Sequence, residues 1–420
     1  MYLRGSKFNM NRRLGRRRSN PFTIIILVLL VGGAVYINQV IVPQTPPLFM
    51  PTPTATTSPE TYLAEAEKLV AEGKYALAIQ NYRDALLLNP DNPGIFISIA
   101  RLQIYTSRFE EAVDNAGNAL VSNPGNAQAM ALRGYALGRT GDFVTAESVL
   151  LQAIELDPNN PLPYAYMAEI LALRSQTTAG DSEMLSRAID YSRKALDFGP
   201  NLQEAHRARG IVLEFTDNYE DAVREFEAAI ALNRFIADLH IYLGRNYRAI
   251  GEDAKAIREY NNAISLNPTD PEPYAALSRT YARLGEYPNS ILFGIDAIAR
   301  APTNPYYYGN LGVVYYRMGD YPRAIENLNI AVRGGTAATG ETVEGLALDY
   351  WPVSEYYTML GLALARMGKC GEALPIAQLV ANGVSLEEFS VINAEEIVNL
   401  CQQVADGSLK PPLPTETPSP

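Results

Sequence analysis

Between about residues 60 and 383, apolar residues recur every three or four positions in helix-length runs, separated by short turns that carry Gly, Asn or Pro. The stretch from Ala237 to Asp270 shows the pattern at its clearest. Leu243, Gly244 and Tyr247 share one helical face, and Ala256, Tyr260 and Ala263 share a second. Gly251 lies between the two runs and Pro268 closes the second, which predicts two antiparallel helices joined by a tight turn. Neither helix can bury its apolar stripe alone, so the unit requires copies of itself on either side.

Those copies are present at a spacing of 34 residues. Ala66, Ala100, Gly134, Ala168, Gly210, Gly244, Ser278, Gly312 and Gly361 fill one first-helix position. Ala78, Ala112, Ala146, Ala188, Ala222, Ala256, Ser290, Ala324 and Ala373 fill the matching position in the second helix. A third column runs through Ala85, Ala119, Ala153, Ala195, Ala229, Ala263, Ala297, Ala331 and Val380, and Pro90, Pro124, Pro158, Pro200, Pro268 and Pro302 close units. The nine units fall near 59–92, 93–126, 127–160, 161–202, 203–236, 237–270, 271–304, 305–334 and 354–383. Extra residues enter twice, around 175–183 in the fourth unit and around 332–352 before the ninth, the latter holding the lone Trp351. Beyond the ninth unit, residues 384–406 are expected to supply a capping helix begun by Asn393, with Glu395 and Glu396 in its first turn.

These small-residue columns resemble the tetratricopeptide repeat family, with departures such as Met130, His206 and His240 at a position otherwise held by Tyr or Phe. The resemblance implies an all-α, right-handed superhelical solenoid whose first helices line a concave, peptide-binding wall. Positions five, nine, twelve and thirteen of those helices then face inward. They include Arg101, Arg139, Arg207, Arg245, Arg248, Arg279, Arg283, Arg317 and Arg366, alongside Tyr316. Two outcomes are open for these cations: a ladder that grips an acidic extended segment, or pairing with carboxylates of the solenoid such as Glu214 and Glu272. Chaperone-binding members of the family use Lys and Asn at positions five and nine of a first helix. Leu63 and Glu67 stand there in the first unit, so that carboxylate clamp is not carried over.

The N-terminus departs from the repeat pattern. Residues 22–42 form an uncharged apolar run of 21, about 30 Å as a helix, which is enough to cross a bilayer once. Seven cations and no acidic residue precede it, which places residues 1–21 in the cytoplasm and the repeats outside, anchored in the cytoplasmic membrane. A cleaved signal peptide is the competing reading, with Gly32 and Ala34 as the small residues a peptidase requires. Residues 43–59 are a Pro/Thr-rich spacer, and 407–420 repeat that composition as a tail expected to lack fixed structure.

Of the 35 basic residues, 28 follow the apolar run, against 46 acidic ones, a net of −18 that argues against nucleic-acid binding. The stretch Gly335 to Thr342 has phosphate-loop spacing, but Glu341 replaces the required lysine. HExxH, GxSxG and paired-cysteine motifs are absent from the sequence, so neither a catalytic centre nor a cofactor or metal site is expected. The two histidines read as packing residues rather than ligands. The only cysteines, Cys370 and Cys401, fall at the start of a helix and near the end of the next antiparallel one, leaving a disulfide and two free thiols both open. The expectation is thus a non-enzymatic, membrane-anchored scaffold for protein partners. Its rivals are a polysaccharide-handling factor that stacks sugars on Tyr105, Tyr135, Tyr316 and Tyr306–Tyr308, and a noncatalytic subunit of an envelope complex.

Overall fold

The computed structural model describes residues 20–41, 58–177 and 182–410. The basic tail, most of the Pro/Thr spacer, part of the first insertion and residues 411–420 lie outside them. The described chain falls into two units, one up to residue 57 and one from residue 58. In the first, α1 (Pro21–Tyr36) starts at Asn20, whose side chain accepts from the Phe22 N–H, and a π-helical turn extends it to Ile41. Residues Pro21–Val40 are long and apolar enough to cross a membrane, and their side chains are exposed.

The second unit is a stack of helix hairpins. The first four are α2 and α3 (Pro59–Ala71, Tyr75–Leu88), α4 and α5 (Pro93–Tyr105, Phe109–Ser122), α6 and α7 (Ala127–Arg139, Phe143–Leu156), and α8 and α9 (Pro161–Thr177, Ser182–Phe198). Next come α10 and α11 (Gln203–Phe215, Tyr219–Leu232), α12 and α13 (Ala237–Ala249, Asp253–Leu266), and α14 and α15 (Glu272–Arg283, Tyr287–Arg300). Last come α16 and α17 (Pro305–Met318, Tyr321–Arg333), α18 and α19 (Val353–Arg366, Cys370–Gly383), and the closing α20 (Glu388–Ala405). From α4 onward, successive first helices also touch one another, so they form a continuous wall.

Close approach explains the small-residue columns. A methyl group on Gly244 would lie 2.7 Å from the buried Tyr260 ring, and one on Gly210 would lie 2.8 Å from Phe226. The second- and third-column alanines are fully inaccessible, so each helix buries its inner stripe against the next. Gly251 takes the left-handed backbone of the hairpin turn, φ +82°, which Ser107 and Asp217 adopt in the second and fifth hairpins. The seventh hairpin replaces the apolar contact by a polar one. There Ser278 Oγ donates to the Ser290 carbonyl at 2.7 Å and Ser290 Oγ returns a bond to the Ser278 carbonyl at 2.8 Å.

The tyrosine at the start of three first helices also has a defined job. Tyr164, Tyr274 and Tyr308 donate to the carbonyls of Pro158, Pro268 and Pro302, six residues earlier. His206 and His240 make the equivalent bonds to Pro200 and Arg234 through Nε2, at 2.9 and 3.0 Å. Their Nδ1 atoms face Glu225 and Glu259 at 2.7 and 2.8 Å. Each histidine is therefore held within its own hairpin as a tyrosine substitute. Among the described residues no group of three or more His, Cys, Asp or Glu side chains is placed to hold a metal.

One sequence expectation is corrected. Asn393 does not begin the last helix: α20 starts five residues earlier at Glu388, Val391 N–H already bonds the Glu387 carbonyl, and Glu395 and Glu396 lie mid-helix. Ser390 donates to the Glu387 carboxylate at 2.6 Å, which organises the first turn in place of Asn393. The phosphate-loop-like stretch forms a small antiparallel hairpin, β1 (Gly335–Thr336) with β2 (Thr342–Val343), rather than a strand leading into a helix. Val343 and Ala337 are buried, and Leu346 N–H bonds the Ala331 carbonyl, so this insertion packs back on α17.

Candidate functional site

The inner wall differs between its two halves. In the first five or six hairpins the stack closes on itself. Tyr75 donates to Asn233 Oδ1 at 3.0 Å, Tyr105 donates to Glu204 Oε1 at 2.8 Å, and the Ser107 hydroxyl reaches Asp238 at 3.3 Å. The interior is filled by side chains of its own. Tyr135 stacks on Tyr166 with ring centres 4.3 Å apart and donates to Glu169 Oε2 at 2.9 Å. Arg207, 2 % exposed, donates through Nε to Glu169 Oε1 at 2.8 Å, and Arg139 donates to the Tyr135 hydroxyl at 2.7 Å while lying over the Phe109 ring.

Arg139 and Arg207, counted above among groove-facing cations, are consequently structural. Tyr105 and Tyr135 are likewise spent on internal bonds rather than presented for stacking on a ligand. Arg101 lies apart, lining a cavity of about 370 Å³ with Tyr105, Gln203 and Glu204.

A larger cavity, about 770 Å³, opens farther along the wall, where the first helices α12, α14, α16 and α18 converge with the end of the second insertion. Arg248, Arg279, Arg283 and Arg317 bring four cations to it, and Glu272 and Glu355 bring two carboxylates. Tyr287, Tyr306, Tyr307, Tyr356 and Trp351 supply aromatic surface, with Ala282, Val313 and Val314 between them. Trp351 is 72 % exposed and Tyr306 42 % exposed, an unusual amount of apolar surface to leave in water.

Most of the cations are already matched. Arg279 donates to Glu272 Oε1 at 2.8 Å, Arg317 to Glu355 Oε1 at 3.0 Å, and Arg283 to Asp253. Arg245, beside the cavity on α12, is paired with Glu214 of the preceding hairpin, Nη2 to Oε2 at 2.9 Å. A free ladder of guanidinium groups is therefore not what this wall presents: pairing with Glu214, Asp253, Glu272 and Glu355 consumes Arg245, Arg283, Arg279 and Arg317. Burial, opposed in part by Tyr260 and reinforced by the Arg279, Arg283 and Arg245 guanidinium groups, holds Arg248 below the ordinary arginine value. The same burial raises the Tyr307 and Tyr356 hydroxyls above theirs, and Tyr356 donates to Asn310 Oδ1 at 2.8 Å.

Tyr316 and Arg366 are not part of this cavity. Tyr316 packs against Tyr321 with ring centres 5.7 Å apart, and the hydrogen bond that Arg366 donates to the Tyr316 hydroxyl raises the Arg366 guanidinium value. Cys370 and Cys401 are joined as a disulfide, Cα–Cα 5.5 Å, between the first residue of α19 and the last turn of α20. The sequence reading passed over Tyr287, Asn310, Glu355 and Tyr356 as cavity residues. The tyrosine run at 306–308 and the isolated tryptophan were the signals that pointed toward this region.

Nine antiparallel hairpins among the described residues, stacked with their first helices as a common wall, define a helical-repeat solenoid. A profile of the TPR repeat matches residues 244–285, and one described as tetratricopeptide repeat matches residues 97–161. The chain carries tetratricopeptide repeats in these segments. It is 28 % identical over 147 residues to a tetratricopeptide repeat and J domain-containing co-chaperone of Cryptococcus neoformans, covering 34 % of this chain and 28 % of the relative. It is 30 % identical over 138 residues to a small glutamine-rich tetratricopeptide repeat-containing protein of Mycosarcoma maydis, covering 30 % of this chain and 39 % of that one. The matching segments thus span well under half the length of either relative. A solved tetratricopeptide repeat protein from Parabacteroides merdae aligns with 61 % of this chain and 98 % of its own, at 14 % identity and a TM-score of 0.39.

Proposed function

We propose that the chain is a membrane-tethered scaffold that acts by holding a partner polypeptide, not by catalysis, and that the partner segment docks in the 770 Å³ cleft on α12, α14, α16 and α18. The tetratricopeptide repeats and the relatives that share them support an interaction scaffold. The observation that carries the site is the cleft itself, where exposed Trp351 and Tyr306 stand beside a cluster of arginines in a cavity about twice the size of the one beside Arg101. The apolar helix Pro21–Val40, with its basic preceding tail, supports a single-pass anchor with the repeats outside the cytoplasm.

The cleft is tested in the full-length protein with a photo-crosslinking amino acid in place of Tyr306. Crosslinks to polypeptides are expected, and Trp351→Ala should weaken capture about tenfold while leaving the melting temperature within a few degrees, because the indole is mostly in solvent. Capture that persists unchanged in Trp351→Ala would move the docking site elsewhere; glycan in place of polypeptide would favour the sugar-binding alternative. Orientation has its own test. Protease added to intact spheroplasts should digest the repeats and spare a small N-terminal fragment, whereas repeats that resist until the membrane is opened would reverse the topology.

A further inference from the structure

The cleft's charges do not cancel. Glu272 is shared between Arg279 and the Tyr307 hydroxyl, Glu355 is taken by Arg317, and Asp253 by Arg283. Among the described residues, Arg248 alone of the four cleft arginines has no carboxylate partner, and no side chain is hydrogen-bonded to its guanidinium. Its backbone carbonyl accepts from Arg283 Nη1 at 2.8 Å, which ties the last turn of α12 to α14. Arg248 sits partly buried at the last turn of α12, where Tyr260 opposes only in part the repulsion from three other guanidinium groups.

We infer that Arg248 is the seat for a single carboxylate of the partner segment, with an apolar or aromatic side chain of the same segment lying against Trp351 and Tyr306. The inference rests on the cleft being the docking site. One uncompensated positive charge calls for a monoanion, and the planar guanidinium presents two parallel N–H groups to a carboxylate at a spacing that suits it. A carboxylate there turns three repulsions into a shared attraction, which is why the other arginines matter although each already has a partner. Beside it, Ala282, Val313 and Val314 offer apolar surface, and Tyr306 meets Tyr356 edge to face with ring centres 6.4 Å apart, extending an aromatic wall toward Trp351. The carboxylate belongs either to an Asp or Glu side chain or to a chain terminus, and both sources are separable.

The test selects twelve-residue peptides from a random library on the full-length protein. Selected peptides are then resynthesised in three forms: as found, with Asp and Glu changed to Asn and Gln, and with the C-terminus amidated. Loss of about tenfold or more in affinity on changing the acids identifies a side-chain carboxylate, and the same loss on amidation identifies a terminal one. Arg248→Gln should produce an equal loss for the acidic peptide, and Arg248→Lys a smaller one, while Arg224→Gln on an outer helix face should change nothing. Arg248→Glu should bind a peptide whose acid is replaced by Lys better than the acidic parent, a gain that a misfolded variant cannot give. If neutral peptides bind as tightly as acidic ones and yet are lost in Trp351→Ala, the cleft stands and the role of Arg248 falls. If no selected peptide responds to Trp351→Ala, both fall.

Discussion

Replacing Arg207 by methionine should lower unfolding free energy by about 3–5 kcal/mol, the cost of leaving one partner of a buried ion pair alone. Glu169 has no exposed surface and Arg207 has 2 %, so water cannot take the place of the missing guanidinium. The Arg207 guanidinium lies over the Tyr135 ring, 5.0 Å from its centre, and methionine keeps most of the apolar stem behind it, so the loss reports the charged group more than the stem volume. The double variant Arg207→Met with Glu169→Gln should recover most of it, since glutamine still accepts the Tyr135 hydrogen bond and carries no charge. Equal losses in single and double variants would show that packing, not an orphaned carboxylate, sets the cost.

The pH dependence of Arg207→Met follows from the same geometry. Burial raises the Glu169 carboxyl above its ordinary value even with Arg207 in place, and removing the arginine raises it further. The folded variant then holds a proton that the unfolded chain releases near the ordinary glutamate value. Stability contributed in that way is present below the unfolded value and is lost as pH rises toward the folded one. Denaturant titrations from about pH 4.5 to 8 should therefore show the variant falling further behind the parent as pH rises. A deficit that narrows over that range would contradict the assignment.

Reduction of the Cys370–Cys401 bond should loosen the C-terminal end of the stack by about 3–4 kcal/mol, the chain-entropy value for a loop closed across 31 residues. The bond fastens α20 to the start of α19. Through α20, Ile397 is held over Gly361, where an added methyl would lie 2.4 Å from its Cδ1. Leu360, Ile376 and Val380 are buried in the same cluster, and an unfastened cap would expose them. Because repeats couple mainly to their neighbours, hydrogen exchange should rise in residues 353–405 on reduction and stay unchanged in the first six hairpins. Since α18 also supplies Glu355 and Tyr356, partner capture by the cleft should weaken at the same time. Mass spectrometry of unreduced peptides checks the premise: both thiols alkylated without reductant would refute the bridge.

The architecture was legible in the sequence because it is local. Two helices that pack at close range need Ala or Gly at the contact, and a 34-residue period repeats that need at Gly244 and Ala256 as at Ala66 and Ala78. The tyrosine-to-carbonyl bond spans six residues, so His206 and His240 could be assigned to packing from their position alone. Which arginines are free is a question of another kind. Arg245 is answered by Glu214, 31 residues earlier, Arg317 by Glu355, 38 residues later, and Arg279 by Glu272 on its own helix. Ion pairing depends on the angle at which successive hairpins meet, and no spacing rule contains that angle. The Tyr75–Asn233 bond, across 158 residues, depends on the accumulated rotation of several hairpins, and it is this closure that buries Arg207 and leaves the open cleft to the C-terminal half. The repeat period determined that a wall of first helices would form; the sum of small rotations between repeats decided where along it a partner can reach Arg248.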